Sequence, residues 1–236
     1  MSELLFREDA YLRSCEARVV AVDERGIRLD RTVFYPTGGG QPGDIGLLRL
    51  VDGTAVAIID TVKGDGADAV IHVPSPDANQ LAPGDAVTAE IDWERRHRLM
   101  RMHTCLHLLC AVVPGAVTGG AVGDGRGRLD FDVPGAALDK EAITAALNKL
   151  IAEGHPVAPR WIDEAELEAR PELVRTMSAK PPMGAGKVRL LEIKGVDLQP
   201  CGGTHVKNTA EIGPVELGKI ENKGRQNRRV NMAFAG

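Results

Sequence analysis

Two pairs of metal-binding side chains stand out in the sequence, and both have a four-residue spacing. His103 and His107 lie in the stretch 93–113, which contains no Gly or Pro and therefore predicts a helix. Positions i and i+4 of a helix share one face, so both imidazoles can reach one ion. Cys201 and His205 bracket Gly-Gly-Thr, which predicts a tight loop that brings a thiolate and an imidazole together. Three nitrogens and one sulfur are a ligand set that suits Zn2+.

A His pair at this spacing also occurs as an ordinary, partly buried pair on an amphipathic helix. The chain has only six His and four Cys, however, and four of these residues form two pairs with the same spacing. This favours a metal site that holds one Zn2+ per chain. Cys110 lies on the same helical stripe as His107 and is an alternative ligand, whereas Cys105 is expected to face away from His103.

Length and composition indicate a protein of two domains. The chain has 236 residues, and none of its apolar runs approaches the roughly 18 residues that a membrane helix needs. The first residues do not resemble a signal peptide, and the Cys spacing shows no disulfide framework. We therefore expect a cytoplasmic protein without a membrane partner.

Charge is distributed unevenly along the chain. Residues 1–92 carry 16 acidic and 8 basic side chains, whereas residues 93–236 carry 17 acidic and 21 basic side chains. The pattern of predicted secondary structure changes at the same point, from short strands to alternating helices and strands. This predicts one domain at 1–92 and a second at 93–236. The excess of positive charge in the second domain suggests that it faces a polyanion.

The first half reads as β structure. Gly26 and Gly53 each separate two short runs rich in Val, Ile and Leu, which predicts two hairpins with strands at 17–22, 27–29, 47–51 and 55–59. Further Gly and Pro punctuation follows at intervals of roughly 8 to 12 residues, as is typical of a small barrel or sandwich.

The segment 38–46 holds five glycines in nine residues. A strand rather than a helix follows the glycines, so the segment is not a dinucleotide-binding turn, and we expect no nucleotide cofactor. Two interpretations remain: an ordinary Gly-rich turn with a bulge, or bare backbone that approaches a ligand closely. We expect the second, with this loop packing over the pocket of His103 and Cys201.

The second half alternates helices and strands, so the fold class is α+β: a small N-terminal β-barrel or sandwich followed by an α+β zinc-binding domain. Asp139 and Gly154 predict the two caps of a helix. Asp163 with Glu166 predicts a capping box at the start of a further helix. A strand is expected at 187–193, before Cys201, and a terminal hairpin should turn at 222–224.

Two basic clusters flank the two ligand pairs. The terminal hairpin carries one set against the single acid Glu221: Lys219, Lys223, Arg225, Arg228 and Arg229. Four arginines precede His103 in the predicted helix: Arg95, Arg96, Arg98 and Arg101. A solvated surface is the ordinary explanation of such clusters, but their position around one metal site favours an RNA substrate.

Several motifs together resemble a known family. The stretches 103–107 (HTCLH) and 201–205 (CGGTH), preceded by 92–96 (DWERR) and 38–46 (GGGQPGDIG), closely resemble the editing module of alanyl-tRNA synthetase. Over nearly its whole length the chain resembles the freestanding trans-editing proteins called AlaX, in the class with a Gly-rich N-terminal domain. The resemblance implies that the zinc ligands are His103, His107, Cys201 and His205.

The same resemblance implies an elongation-factor-type barrel in the first domain and hydrolysis of mischarged Ser-tRNA(Ala), with Gly-tRNA(Ala) as a second substrate. Two departures touch the expected amino-acid pocket. Leu106 stands where synthetase editing sites commonly have Thr, and residues 118–121 lack a Gln that many of them have.

The expected chemistry is ester hydrolysis without a strong protein base. Thr104 stands where the catalytic Glu of a zincin protease would be, which argues against a protease, and no Asp or Glu is expected beside the ligands. We expect zinc to position the ester and a metal-ordered water or a ribose hydroxyl to assist, with no catalytic side chain assigned. The residues expected to contact substrate are Gly39, Gly40, Gln41, Thr104, Arg225, Arg228 and Arg229.

Two other functions remain open at this point. A peptidyl-tRNA hydrolase would share the Gly-Gly-Gln sequence at 39–41, and a non-catalytic zinc module that binds tRNA would share the ligands and the basic clusters. The sequence does not fix an oligomeric state.

Overall fold

We describe the protein from a computed structural model. The structure describes residues 2–66, 68–78, 80–133, 138–174 and 186–235. The chain divides into two compact units, Met1–His97 and Arg98–Gly236. Within the described residues, no helix is long and apolar enough to cross a membrane.

The first unit contains a closed barrel of six strands, which confirms the expected N-terminal barrel. The strands of this unit are β1 (Glu3–Leu4), β2 (Ser14–Asp23), β3 (Gly26–Leu29), β4 (Arg31–Thr32), β5 (Gly46–Leu50), β6 (Ala55–Lys63), β7 (Val70–Pro74) and β8 (Ala86–Ile91). The barrel closes in the order β2-β3-β7-β6-β5-β8 with antiparallel neighbours. β1 and β4 form a separate parallel pair.

Buried and exposed side chains alternate along the barrel strands, and the buried ones fill the interior of the barrel. In β6, Val56 and Ile58 are buried while Ala55 and Ala57 are exposed, as a strand with one buried face requires. Both expected hairpins are present, since β2 pairs with β3 and β5 pairs with β6.

One long helix, α1 (Trp93–Val112), begins in the first unit and continues into the second. The helix predicted at 93–113 is therefore confirmed. From Leu99 onward nearly every side chain is buried, so this is a core helix with little amphipathic contrast.

The second unit is built on two antiparallel sheets. One has the strand order β14-β15-β10-β9 and the other β11-β12-β13. Their strands are β9 (Ala116–Val122), β10 (Arg126–Asp132), β11 (Val157–Asp163), β12 (Lys187–Ile193), β13 (Asp197–Pro200), β14 (Val215–Asn222) and β15 (Asn227–Phe234). The expected strand before Cys201 and the terminal hairpin are both confirmed.

Two shorter helices complete this unit, α2 (Lys140–Glu153) and α3 (Glu164–Glu168). Asp139 accepts a hydrogen bond from Ala142 N and Gly154 adopts a left-handed conformation, so both predicted caps of α2 are confirmed.

The capping box predicted at Asp163 is wrong. Asp163 caps α3 without any side-chain hydrogen bond, because it is also the last residue of β11 and pairs with Lys187 in the sheet. Glu166 instead lies 3.7 Å from Arg170, one turn further along the chain.

Candidate metal centre and its surroundings

Helix α1 places His103 and His107 side by side. Both are 7% exposed, and their ring centroids are 5.4 Å apart. The i, i+4 spacing therefore works as expected, and burial among Leu and Met side chains removes water that would compete for the imidazoles.

The second ligand pair follows β13 directly. Cys201 N donates to Arg189 O at 3.1 Å, so the first residue of the loop is still hydrogen-bonded to β12. Arg189 Nη1 donates to the carbonyls of Cys201 at 2.7 Å and Gly203 at 3.1 Å. No motif in the sequence marked this arginine, whose hydrogen bonds hold the backbone that carries Cys201.

The four predicted ligands form one group, since the ligand atoms of His103, His107, Cys201 and His205 all lie within 4.8 Å of one another. Cys201 Sγ is 3.2 Å from His205 Nε2 and 3.7 Å from His103 Nε2. Ligands about 2.0 to 2.3 Å from a tetrahedral Zn2+ are separated by about 3.5 Å, so the spacing of these atoms fits that ion. The donor set of three nitrogens and one sulfur fits it equally well.

Thr104 determines which nitrogen of His205 can bind a metal. Its hydroxyl donates to Met100 O at 2.9 Å and lies 3.2 Å from His205 Nδ1. Because a hydroxyl carries a single proton, Thr104 must accept from Nδ1–H of His205. Nε2 of His205 is then unprotonated and faces Cys201, as metal binding requires.

Asp197 has the same effect on His107. Its Oδ2 lies 3.3 Å from His107 Nδ1 and accepts from Gln199 Nε2 at 2.6 Å. A carboxylate can only accept here, so His107 carries its proton on Nδ1 and leaves Nε2 for the metal. The expectation that no acidic side chain lies beside the ligands is wrong, because β13 turns Asp197 toward α1.

The charges within this cluster of three His and one Cys favour the thiolate form of Cys201. Burial opposes ionisation of Cys201, but the charges of His103, His205 and His107 outweigh it and hold the pKa of the thiol well below its usual value. Burial alone would lower the pKa of His107, yet the Cys201 charge and the Asp197 hydrogen bond raise it to about 9. A divalent cation would replace these protons and provide the same compensation.

Neither remaining cysteine of α1 belongs to this group. Cys110 is buried but is not among the four clustered ligands of the described chain, so its role as an alternative ligand is not supported. Cys105 is fully buried, and burial raises the pKa of its thiol far above the usual range, which makes it an inert core residue.

The arginines that precede His103 do not form an open cationic surface. Arg95 donates to Gly43 O at 2.7 Å, and Arg96 is fully buried against Asp44. Arg98 pairs with Asp124 at 2.8 Å. Arg101 donates to Ile212 O at 2.6 Å and lies over the ring of Phe234 at 4.2 Å. Each of these arginines has a partner within the protein, which gives the cluster a role in folding, and its contact with RNA stays a prediction.

The arginines of the terminal hairpin differ from one another. Arg229 is held by Asp130 at 2.7 and 2.9 Å, so its charge is compensated. Arg228 donates to the carbonyls of Gly224 and Asn227 at 3.3 and 3.2 Å. Arg225 is exposed and has no ion pair within the described residues. Substrate contact by the three arginines stays a prediction; Arg229 is paired with an acid, whereas Arg225 and Arg228 have no ion pair within the described residues, and Arg225 is the more exposed of these two.

The Gly-rich segment has two structural explanations inside the first unit. Gly38 and Gln41 exchange backbone hydrogen bonds of 3.0 Å around a tight turn, in which Gly39 and Gly40 have φ of 57° and 80°. A Cβ at Gly43 would lie 2.0 Å from Thr61 O, so the segment can pack on β6 only without a side chain there. Contact of Gly39, Gly40 and Gln41 with substrate stays a prediction.

Comparison with known sequences first identifies a broad class of proteins. Residues 188–231 match the threonyl and alanyl tRNA synthetase second additional domain, and residues 10–95 match the class II (A) tRNA synthetases. The first of these matches includes both Cys201 and His205. Two stretches of the chain are therefore similar to parts of tRNA synthetases.

Individual relatives narrow this class. The alanyl-tRNA editing protein AlaX-M of Methanosarcina acetivorans is 40% identical, and the match covers 98% of each chain. AlaX-M of Saccharolobus solfataricus is 33% identical over 98% of each chain. An alanine–tRNA ligase of Saccharolobus islandicus is 36% identical, over 93% of this chain and 25% of the ligase. The chain belongs to the AlaX-M family of alanyl-tRNA editing proteins.

Proposed function

We propose that the protein is a trans-editing hydrolase that deacylates mischarged tRNA(Ala), with Ser-tRNA(Ala) as its main substrate and Gly-tRNA(Ala) as a second one. The observation that carries this proposal is the buried group of His103, His107, Cys201 and His205 in a chain that matches alanyl-tRNA editing proteins along its whole length. A tRNA substrate also agrees with the cytoplasmic location expected from the sequence.

The need for such an activity follows from side-chain size. A synthetase that selects the small side chain of Ala cannot exclude Gly and discriminates weakly against an added hydroxyl, so a second hydrolytic site is required. An aminoacyl ester is already activated toward water, which reduces the demand for a strong protein base.

We infer that one Zn2+ is held by His103, His107, Cys201 and His205. When bound, it supplies a Lewis acid that can hold the amine or hydroxyl of the amino acid or polarise a water. The chain's own residues prepare the ligands: Thr104 and Asp197 keep the Nδ1 protons of His205 and His107, and Arg189 holds the Cys201 loop. Asp197 is thereby committed to His107 and Gln199, so we assign it no role as a general base.

The amino-acid preference depends on the pocket beside the ligands. Leu106 is 4% exposed on α1 and lies close to Gly127, where an added Cβ would come within 3.3 Å of Leu106 Cδ1. An apolar residue at this position cannot hydrogen-bond the serine hydroxyl, so recognition of that hydroxyl must come from another group.

The test is a deacylation panel with tRNA(Ala) charged with Ala, Ser or Gly. We expect Ser-tRNA(Ala) to be hydrolysed far faster than Ala-tRNA(Ala), and chelation followed by zinc addition should abolish and restore the activity. Equal rates on all three substrates would show that the protein does not edit. Activity that survives complete chelation would favour a peptidyl-tRNA hydrolase, and binding of tRNA without any deacylation would favour a non-catalytic module.

A further inference from the structure

Trp161 is the one aromatic residue among the large exposed hydrophobic side chains of the described residues. It is 49% exposed on β11, the edge strand of the three-stranded sheet. Its neighbour Ile162 is 6% exposed and packs with Leu167, Val188 and Leu190. Since alternate residues of a strand face opposite sides, Trp161 lies on the face of the sheet turned away from that core.

This face is the one that carries the ligand loop. Trp161 pairs directly with Arg189 of β12, and Arg189 O accepts from Cys201 N at 3.1 Å. Residues opposite one another in an antiparallel sheet point to the same side, so Trp161, Arg189 and Cys201 form one row across the three strands. Pro159, Leu191 and Gln199 form the next row on this face; Pro159 of the edge strand is exposed, whereas Leu191 and Gln199 are buried, at 1% and 3% exposure. Along β12, exposure increases from the buried Leu191 through the half-buried Arg189 to the exposed Lys187. The row that contains Trp161 is thus at the open end of the face.

The spacing of the strands gives the distance across this row. Adjacent strands are about 4.8 Å apart, so the Cα atoms of Trp161 and Cys201 are separated by about 10 Å. Arg189 lies on the strand between them, and its guanidinium donates to the Cys201 carbonyl at 2.7 Å. The backbone of the exposed Trp161 is therefore about 10 Å from that of Cys201, a predicted zinc ligand, with a cationic residue on the intervening strand.

We propose that Trp161 is a stacking platform for the terminal adenine of the tRNA acceptor end. This inference rests on the proposed function, because an ester on the terminal ribose has to reach the ligand group while its base lies to one side. Aromatic side chains bind unpaired bases by stacking, and a neighbouring arginine adds attraction for the nucleotide. On this face Asp163 lies opposite Lys187, whereas Trp161 itself lies opposite Arg189, whose positive charge suits an RNA end better than an apolar protein partner.

The kinetic test compares Trp161→Ala, Trp161→Phe and Val174→Ala, the last being an exposed apolar residue of the same unit. Loss of one stacked base weakens binding by on the order of 10-fold. We expect Trp161→Ala to raise KM for Ser-tRNA(Ala) by about that factor with a smaller change in kcat, Trp161→Phe to restore most of it, and Val174→Ala to have no effect. Zinc content should be equal in all three. An unchanged KM for Trp161→Ala would overturn the platform.

A binding test separates this inference from the proposed function. An uncharged acceptor minihelix should quench the tryptophan fluorescence of the wild type but not that of Trp161→Phe, and removal of its terminal adenosine should abolish the quenching. This result would support the platform even if no charged tRNA were hydrolysed. Equal quenching with and without the terminal adenosine would overturn it, while deacylation by the wild type would leave the proposed function intact.

Discussion

The barrel and the second unit each bury histidines, and they do so in different ways. In the barrel, His72 is fully buried, with Nε2 2.8 Å from Thr32 Oγ1 and Nδ1 3.0 Å from Ile27 O. Both ring nitrogens are satisfied by the protein. In the second unit, His107 and His205 place Nδ1 against Asp197 and Thr104. Their ligand atoms cluster with those of His103 and Cys201, and Nε2 of His205 lies 3.2 Å from Cys201 Sγ.

The buried charges show the same contrast. In the barrel unit, Arg96 donates to Asp44 Oδ1 at 2.9 Å, to Val33 O at 2.7 Å and to Ala10 O at 3.0 Å. Asp44 accepts in addition from Tyr35 N at 2.6 Å. The protein itself supplies the partners of this ion pair, whereas the four ligand atoms that lie within 4.8 Å of one another could hold a cation. Burial by itself therefore does not mark a candidate site; a cluster of ligand atoms does.

Removing a ligand should produce the largest effect. We expect Cys201→Ala and His107→Ala to reduce zinc from one per chain to a small fraction of that, because three ligands hold the ion far less tightly than four. His72→Gln, which alters an equally buried histidine, should keep its zinc. Metal analysis of freshly prepared, unchelated protein checks this, and a wild type without zinc would refute the site.

Changing the residues that hold the ligands should have a smaller effect. Thr104→Val and Asp197→Ala each remove the acceptor of one Nδ1 proton, and we expect zinc affinity to fall about 10- to 100-fold. Competition with a chromophoric chelator measures it. Thr104→Ser keeps the hydroxyl and should retain wild-type affinity; a loss as large as that of Thr104→Val would mean that packing, rather than the hydrogen bond, is what matters.

His72, whose ring nitrogens both have partners within the protein, should make the free energy of unfolding depend on pH. Burial lowers the pKa of His72 from 6.5 to about 4, so the unfolded chain binds more protons between these values. Stability is therefore lost as the pH falls through this window, by about 2 kcal/mol between pH 7 and pH 5. Urea unfolding at the two pH values tests this against His72→Gln, which should show a flatter dependence. Identical dependence in both proteins would assign the effect to other groups.

The smallest effect concerns the hairpin, where compensated and uncompensated charges lie close together. Arg225→Ala should reduce the slope of log affinity for tRNA against log salt by about 0.7 to 0.9 if it contacts one phosphate. Arg229→Ala should change the slope less, because Asp130 already pairs with that guanidinium. Salt titrations of tRNA binding distinguish the two, and an unchanged slope for Arg225→Ala would make the hairpin an ordinary surface.

Local geometry was predictable because it depends on spacing within one element. The i, i+4 positions of His103 and His107 ensured that both imidazoles share a helix face, and Asp139 with Gly154 marked the ends of α2. The tight Cys201 loop and the hairpins followed in the same way from Gly positions. The members of the candidate metal cluster and many of the helices and strands could therefore be predicted from the sequence.

Contacts between distant elements were decided by the tertiary structure. Arg96 reads in sequence as one of several basic residues, yet packing buries it on Asp44, 52 positions away along the chain. Asp197 and His107 are separated by 90 positions, and Arg189 reaches the Cys201 carbonyl only because β12 and β13 are adjacent. A charge in a sequence does not reveal whether water or another side chain will solvate it. Packing decides which of the two it is, which is why the clustering of the two His/Cys pairs could be predicted and the residues that hold them in place could not.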